Sequence, residues 1–331
     1  MFNNDISIDL GTATVQVYIK NKGIVLNEPS IVAMERDTKK IIAVGTKANE
    51  MLGRTPGKII TIKPLKDGVI ADLEATEIML NEFIKKLKIK KQIVKPKILI
   101  CCPCNINQIE KDALREVAES AGANEVYIEE EPKIAAIGAG LNIKEPKANM
   151  IVDIGGGTTD IAILSLNGIV ISNSIKIAGN TFNNEIIKYI KEKYKLLIGE
   201  VTAENIKISF TNIYNPSTSN KYNVKGRDLV TGLPKIITIT QEETQDALKE
   251  SINKIIKKIT NILENSPPEL SADIIENGIV LTGGGALLKG MVEILETNLK
   301  VPIFISETPL TCVAEGAGKL LEELKNTMKG P

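Results

Sequence analysis

The sequence predicts an α/β protein built from two related halves, each carrying a phosphate-binding turn. Three observations lead there. Strand-like apolar runs alternate with amphipathic helical segments along the chain. Most of the runs are apolar throughout, as strands covered on both faces are. One pattern also occurs twice: Ile8-Asp9-Leu10-Gly11-Thr12 and Val152-Asp153-Ile154-Gly155-Gly156-Gly157-Thr158-Thr159 each read as apolar strand, Asp, apolar residue, Gly, Thr. Another β-branched run follows each copy.

The elements follow in order. Residues 6–9 and 15–19 are β-branched runs around the first tight turn. Met79, Leu80, Phe83, Ile84 and Leu87 mark one face of a helix. Residues 97–102 form the next strand. Asn107 with Glu110 makes a capping box, Ile109, Ala113, Leu114, Val117 and Ala121 keep helical spacing, and Gly122 ends the helix. Residues 150–153, 161–164 and 169–175 are strands around the second turn. The polar run 212–223 reads as a loop. Thr240 and Glu243 cap a helix whose face holds Leu248, Ile252, Ile255, Ile256, Ile259 and Leu263, ending before Pro267-Pro268. Residues 278–281 are a strand running into Gly283-Gly284-Gly285.

Composition bounds the function. The 331 residues suffice for two cores, and 43% hydrophobic with 25% charged residues is a globular composition. Lys plus Arg and Asp plus Glu are 41 each, so nothing in the net charge favours nucleic acid. The sequence contains no His, which excludes imidazole catalysis and His-ligated metal. Residues 1–5 read as a short polar lead into a strand, not a signal peptide, and no run of about 18 apolar residues offers a membrane span. Cys101, Cys102, Cys104 and Cys312 make no sensible disulfide framework, which fits a reducing cytosol, and a buried strand end explains the first three better than a soft-metal site.

The two turns carry the chemistry. Gly11 and Gly155, Gly156 and Gly157 let backbone amides converge into an anion nest, and Thr12, Thr14, Thr158 and Thr159 add hydroxyls. Asp9 and Asp153 would place two carboxylates near bound phosphate, a repulsive arrangement that calls for a hydrated Mg2+. A single such turn reads more readily as an ordinary hairpin; the pair, together with a third motif, favours a ligand. A third motif, Ile279-Val280-Leu281-Thr282-Gly283-Gly284-Gly285-Ala286-Leu287-Leu288, runs from a buried strand through glycines into a helix, where a flat ring or ribose can lie against bare backbone.

Those motifs, in that order and spacing, resemble the actin, sugar-kinase and heat-shock-chaperone superfamily. Within it the chain is most similar to the MreB family of bacterial actins. The strings that carry this are Arg54-Thr55-Pro56-Gly57, Pro64-Leu65-Lys66-Asp67-Gly68-Val69-Ile70-Ala71-Asp72, Ile128-Glu129-Glu130-Glu131-Pro132, Gly226-Arg227-Asp228-Leu229, Thr231-Gly232-Leu233-Pro234 and Pro267-Pro268-Glu269-Leu270. The resemblance implies an actin-like two-lobe fold with mixed sheets around a nucleotide cleft. Its expected subdomains are IA (1–32, 66–145 and 315–331), IB (33–65), IIA (146–181 and 246–314) and IIB (182–245).

The resemblance also implies ATP with Mg2+ in the cleft. Thr12, Ala13, Thr14, Gly155, Gly156 and Gly157 would hold the phosphates. Glu204, Asn205, Ile206 and Lys207 would flank ribose and adenine, although Glu204 and Lys207 also read as a plain i, i+3 surface pair. Gly284, Gly285, Ala286 and Leu287 would face the nucleoside from the other side. Asp9 and Asp153 would serve the metal through water. Glu131, before Pro132, would orient the attacking water, with Glu130 as the alternative, and Thr158 would help hold that water. Three consecutive Glu stand where the family usually has two, and Asp160 stands where Glu is common.

Lys85, Lys86, Lys88, Lys90, Lys91, Lys95 and Lys97 surround Ile89, Ile93 and Val94, at the position of the family's membrane-insertion loop. The implied function is a slow ATPase that forms filaments, paired and antiparallel, at the inner face of the cytoplasmic membrane, where they organise cell-wall synthesis and shape proteins. Alternatives are a scaffold with little hydrolysis and a small-molecule kinase. A chaperone ATPase would need a substrate-binding domain beyond residue 318, for which no room is expected.

Overall fold

The computed structural model describes residues 5–87, 96–104 and 106–327. In the first half, β1 (Ile6–Leu10), β2 (Thr14–Ile19) and β3 (Gly23–Pro29) form an antiparallel meander. A small antiparallel sheet follows from β4 (Val32–Glu35), β5 (Ile41–Val44) and β6 (Ile59–Ile62), with α1 (Thr46–Glu50) between the last two. A ribbon of β7 (Leu65–Lys66) and β8 (Val69–Ile70) leads to α2 (Leu73–Lys86), β9 (Lys97–Cys102), α3 (Gln108–Ser120), β10 (Glu125–Glu130) and α4 (Glu131–Gly138).

The second half repeats the plan. The strands β11 (Asn149–Ile154), β12 (Thr159–Ser165) and β13 (Gly168–Ile175) form its meander. Next come α5 (Gly179–Tyr194), β14 (Leu196–Leu197), α6 (Glu200–Ser209), the hairpin β15 (Lys221–Asp228) with β16 (Pro234–Thr240), α7 (Gln241–Glu264) and α8 (Pro268–Asn277). Then follow β17 (Ile279–Thr282), a 3-10 turn (Gly284–Leu287), α9 (Met291–Leu299), β18 (Ile303–Ile305) and α10 (Cys312–Thr327).

The duplication is visible in the sheets. One has the order β10-β9-β1-β2-β3 and the other β18-β17-β11-β12-β13. In each, the central strand pairs antiparallel with its meander neighbour and parallel with the later strand. Asp9 lies opposite Cys101 across the parallel pair, and Asp153 lies opposite Thr282 at the matching place. Both aspartates therefore sit at carboxyl ends of central parallel strands, where open α/β sheets bind ligands.

Alternation along the strands builds a layered core. Ile98, Ile100 and Cys102 face the cluster that includes Met79, Leu80 and Phe83 of α2 and Val117 of α3. Leu99 and Cys101 face the other way, into a cluster shared with Ile134 and Ala135 of α4 and Val313 and Ala317 of α10. That middle cluster also takes Ile151, Ala162 and Leu164 from the second sheet. Each half thus lends the other a helix: α10 packs on β1, β2 and β9, while α4 packs on β11 and β12.

The two exchanged helices meet at glycines. A β-carbon on Gly316 would lie 2.0 Å from the Ile134 carbonyl oxygen, and one on Gly138 would lie 1.9 Å from that of Cys312. The thiol of Cys312 donates to the Ala135 carbonyl at 3.2 Å across the same crossing. All four cysteines are free and buried.

Both expected capping boxes form: Asn107 Oδ1 accepts from the Glu110 amide at 2.9 Å, and Glu243 Oε2 accepts from the Thr240 amide at 2.8 Å. Asp72 caps α2 in addition, accepting from the Ala75 amide at 3.0 Å. Ile109 departs from its expected place on the buried face of α3: it is 80% exposed, because the face that packs is set by Leu114, Val117 and Ala118. The loop expected over 212–223 ends earlier, since β15 begins at Lys221.

Candidate functional site

The two Asp-Gly turns face each other. A β-carbon on Gly156 would meet that of Ala13 at 2.6 Å, and one on Gly157 would lie 2.4 Å from Thr12 Oγ1. Glycine is required there because the opposing loop fills the space a side chain would take. The Gly155 amide bonds the Thr158 carbonyl at 2.9 Å, closing the second turn. The start of α5 is tied to the same turn by the Gly179 amide on the Gly155 carbonyl, 3.1 Å, and the Asn180 amide on the Gly156 carbonyl, 2.8 Å.

Between the turns lies a cavity of about 410 Å3, within the range of roughly 300–1,000 Å3 usual for small-molecule sites. Gly11, Thr12, Ala13 and Thr14 line it from the first half and Gly155, Gly156, Gly157 and Thr158 from the second. Asp9, Asp153 and Glu131 line its floor. Glu204 and Lys207 of α6 form one wall; Gly284, Gly285 and Leu287 form another. Gly283, with φ of 78°, brings backbone against the Asp153 carboxylate, where a β-carbon would stand 2.3 Å from Oδ1.

Three of the expected residues do not line this cavity. Ile206 and Ala286 are 0% and 1% exposed and belong to the core of the second half, facing away from the cavity on α6 and the 3-10 turn. Asn205 lies on the exposed side of α6 and lines nothing; a helix of period 3.6 cannot present four consecutive residues to one wall. Ile93 and Val94 lie outside the described residues. Several lining residues went unanticipated: Gly68, Ile208, Pro309, Leu310 and Val313. Gly68 could have been found from the Asp67-Gly68 turn, where both residues have positive φ; its amide donates to Thr12 Oγ1 at 2.9 Å.

The three adjacent glutamates have different surroundings. Glu129 is bound to Lys133 at 3.1 Å, Glu130 is the residue before α4, and Glu131 opens α4 and reaches the cavity. Pro132 at the second helical position needs no amide partner and directs the chain into that helix.

The electrostatics are those of crowded, buried carboxylates. Burial pushes Asp9 up to about 7. Burial, then the charges of Asp160 and Asp9, push Asp153 up to about 8. Glu131 is held well above the usual carboxylate range, first by burial and then by Asp160, Asp9 and Asp153. Asp160, 1% exposed, accepts from the Cys104 amide at 2.9 Å and is pushed up to about 6, mainly by burial. Lys207, the one cation among the described lining residues, is committed to Glu204 at 2.8 Å and the Gly179 carbonyl at 3.2 Å. Among the described residues no group of three His, Cys, Asp or Glu side chains could hold a metal by itself.

The whole chain, not the site alone, matches known proteins. A family model described as MreB/Mbl protein matches residues 3–329. The chain belongs to the MreB/Mbl family. It is 56% identical over 329 residues to the cell shape-determining protein Mbl of Bacillus cereus, covering 99% of each chain. To the cell shape-determining protein MreB of Escherichia coli K12 it is 48% identical over 327 residues, covering 97% of this chain and 94% of the relative. Among solved structures, MreB5 of Spiroplasma citri bound to AMPPNP superposes with a TM-score of 0.93 at 40% identity, covering 99% of both chains. The fold is therefore actin-like, and the chain is an actin-like cytoskeletal protein of the cell-shape-determining MreB/Mbl class. Among the described residues no helix is long and apolar enough to cross a membrane.

Proposed function

We propose that this MreB/Mbl protein binds ATP between its lobes, hydrolyses it slowly, and couples the cycle to assembly into filaments on a membrane surface. The observation that carries this is the meeting of two Asp-Gly-Thr turns over one cavity whose floor holds Glu131. The AMPPNP-bound relative supports nucleotide as the occupant.

In this reading the amides of the two turns, with Thr12, Thr14 and Thr158, hold the phosphate chain. Glu204 and Lys207 meet the ribose and adenine from α6, and Gly284, Gly285 and Leu287 meet them from the opposite wall. The donor set fits Mg2+: Asp9 and Asp153 are buried hard oxygen donors whose ionised forms burial disfavours, and two carboxylates with water would hold the ion, which when bound neutralises phosphate charge. Glu131 accepts a proton of the attacking water and orients its lone pair, with Thr158 beside it; the protein's part in phosphoryl transfer is mostly such positioning. Slow hydrolysis of this kind serves as a timer on the assembled state.

We read the lobes as IA (1–32, 66–145, 315–331) with IB (33–65), and IIA (146–181, 246–314) with IIB (182–245). Filaments would be paired and antiparallel, and the basic segment around Ile93 and Val94 would hold them at the inner face of the cytoplasmic membrane beside cell-wall synthesis and shape proteins. One weak loop per subunit suffices when a filament presents many. The test is sedimentation and negative-stain microscopy with Mg-ATP, with and without anionic liposomes, with released phosphate measured in parallel. Filaments, slow phosphate release and co-pelleting with lipid are expected. Lipid co-pelleting should vanish in Ile93→Asp/Val94→Asp while assembly persists. Turnover stimulated by a sugar, without assembly, would instead mark a kinase.

A further inference from the structure

One ion pair bridges the two halves beside the cavity, one helical turn from the lining residue Glu204. Lys63, just past β6 in the small sheet, donates through Nζ to Glu200 Oε2, the first residue of α6, across 137 residues of sequence. Among the described residues, no other ion pair or hydrogen bond joins 33–65 to 182–245. Its side chains are 36% and 46% exposed, so water and salt screen it. A pair of that kind adds little to fold stability. It is well suited to a contact that must break often.

Its position on α6 gives it a further meaning. Glu200, Glu204 and Lys207 follow one another at i, i+4 and i+7, along one helical face. The lower two line the nucleotide cavity; the upper one holds Lys63. Lys207 also binds the Gly179 carbonyl at 3.2 Å, and the start of α5 is bonded to the phosphate turn through Gly155 and Gly156. A rigid helix therefore joins the phosphate turn and the nucleoside wall to that ion pair. A shift of α6 on loading or emptying the cavity moves Glu200 relative to Lys63.

We propose that Lys63 and Glu200 form a latch between the two halves beside the cavity, and that nucleotide release requires this latch to open. The proposal rests on the ATP reading above. Glu200 has a second reason to stand where it does, since a carboxylate at a helix N-terminus favours the helix dipole. Lys63 has none, so its reversal probes the latch without touching α6.

The experiment measures release of a fluorescent ATP analogue, chased with excess ATP, at a concentration where the chain sediments as a monomer. Wild type, Lys63→Glu, and the swapped pair Lys63→Glu/Glu200→Lys are compared at low salt. Lys63→Glu should release about two- to fivefold faster, the range an exposed ion pair can command. The swap should return the rate toward wild type despite its cost to the helix end. The difference should fade above about 0.5 M NaCl, where the Debye length is only a few ångströms. Equal rates for wild type and Lys63→Glu, or a swap as fast as the single variant, overturn the latch while equilibrium binding of the analogue upholds the ATP reading. A wild-type chain that takes up no analogue overturns both.

Discussion

Gly157 faces Thr12 so closely that a β-carbon on the glycine would stand 2.4 Å from the threonine Oγ1. The two residues belong to different halves, so this approach is possible only with the phosphate turns brought together. Gly157→Ala should therefore leave each half folded and push the turns apart. Overpacking of this kind costs about 1–3 kcal/mol, so ATP affinity should fall about tenfold or more. Titration calorimetry checks the affinity and circular dichroism the fold; unchanged affinity would show that the turns do not close on the ligand.

Glu131 and Glu130 can be separated by experiment. Glu131→Gln should still bind ATP and assemble, while phosphate release falls about a hundredfold, the low end for loss of a general base. Glu130→Gln, outside the cavity lining, should stay near wild type. The reverse pattern in a single-turnover phosphate assay would move the role to Glu130.

Much of this site was legible because one pattern was written twice. The run of strand, Asp, apolar residue, Gly and Thr has few solutions once two copies are present, and both aspartates lie at matching strand ends. The nucleoside walls were less legible. Ile206 and Lys207 are neighbours in sequence, yet one is core and the other cavity, and only the rotation of α6 against α5 decides which. Phe182, Leu310 and Val313 carry no local sign of their position; tertiary packing alone brings them to the cavity. The small sheet of β4, β5 and β6 also left little trace, since the burial of β6 is partial along its length.

The raised carboxylates have a pH signature. Asp9 and Asp153, at about 7 and about 8 in the fold, return to about 3.9 when unfolded. The fold thus binds protons more tightly than the unfolded chain, so the stability they contribute is full below about pH 4 and is lost as pH rises toward 8. The free protein should melt at lower temperature at pH 8 than at pH 6. Mg-ATP, which favours the ionised pair, should raise the melting temperature more at pH 8. Asp153→Asn should stabilise the free protein at pH 8 and weaken the Mg2+ dependence. Dye-based thermal melts with and without Mg-ATP decide it; a larger Mg-ATP shift at pH 6 would contradict the assignment.

Gly316→Ala reverses a usual sign. Alanine inside a helix normally gains about 1 kcal/mol over glycine. At this position the new methyl would stand 2.0 Å from the Ile134 carbonyl oxygen, a backbone atom that cannot swing aside. The substitution should destabilise by about 1–3 kcal/mol, seen as a lower urea midpoint. A higher midpoint would mean that α4 and α10 are not in contact there in solution.

The exchanged helices bear on how the chain is made. A ribosome delivers the first sheet early, but α10, which covers one of its faces, is the last described element of the sequence. Throughout synthesis that face of β1, β2 and β9 waits for a helix not yet translated. A nascent chain halted near residue 300 would hold a nearly complete second half and a first half with a bare hydrophobic face. Such a chain is a natural client for holding chaperones until α10 emerges.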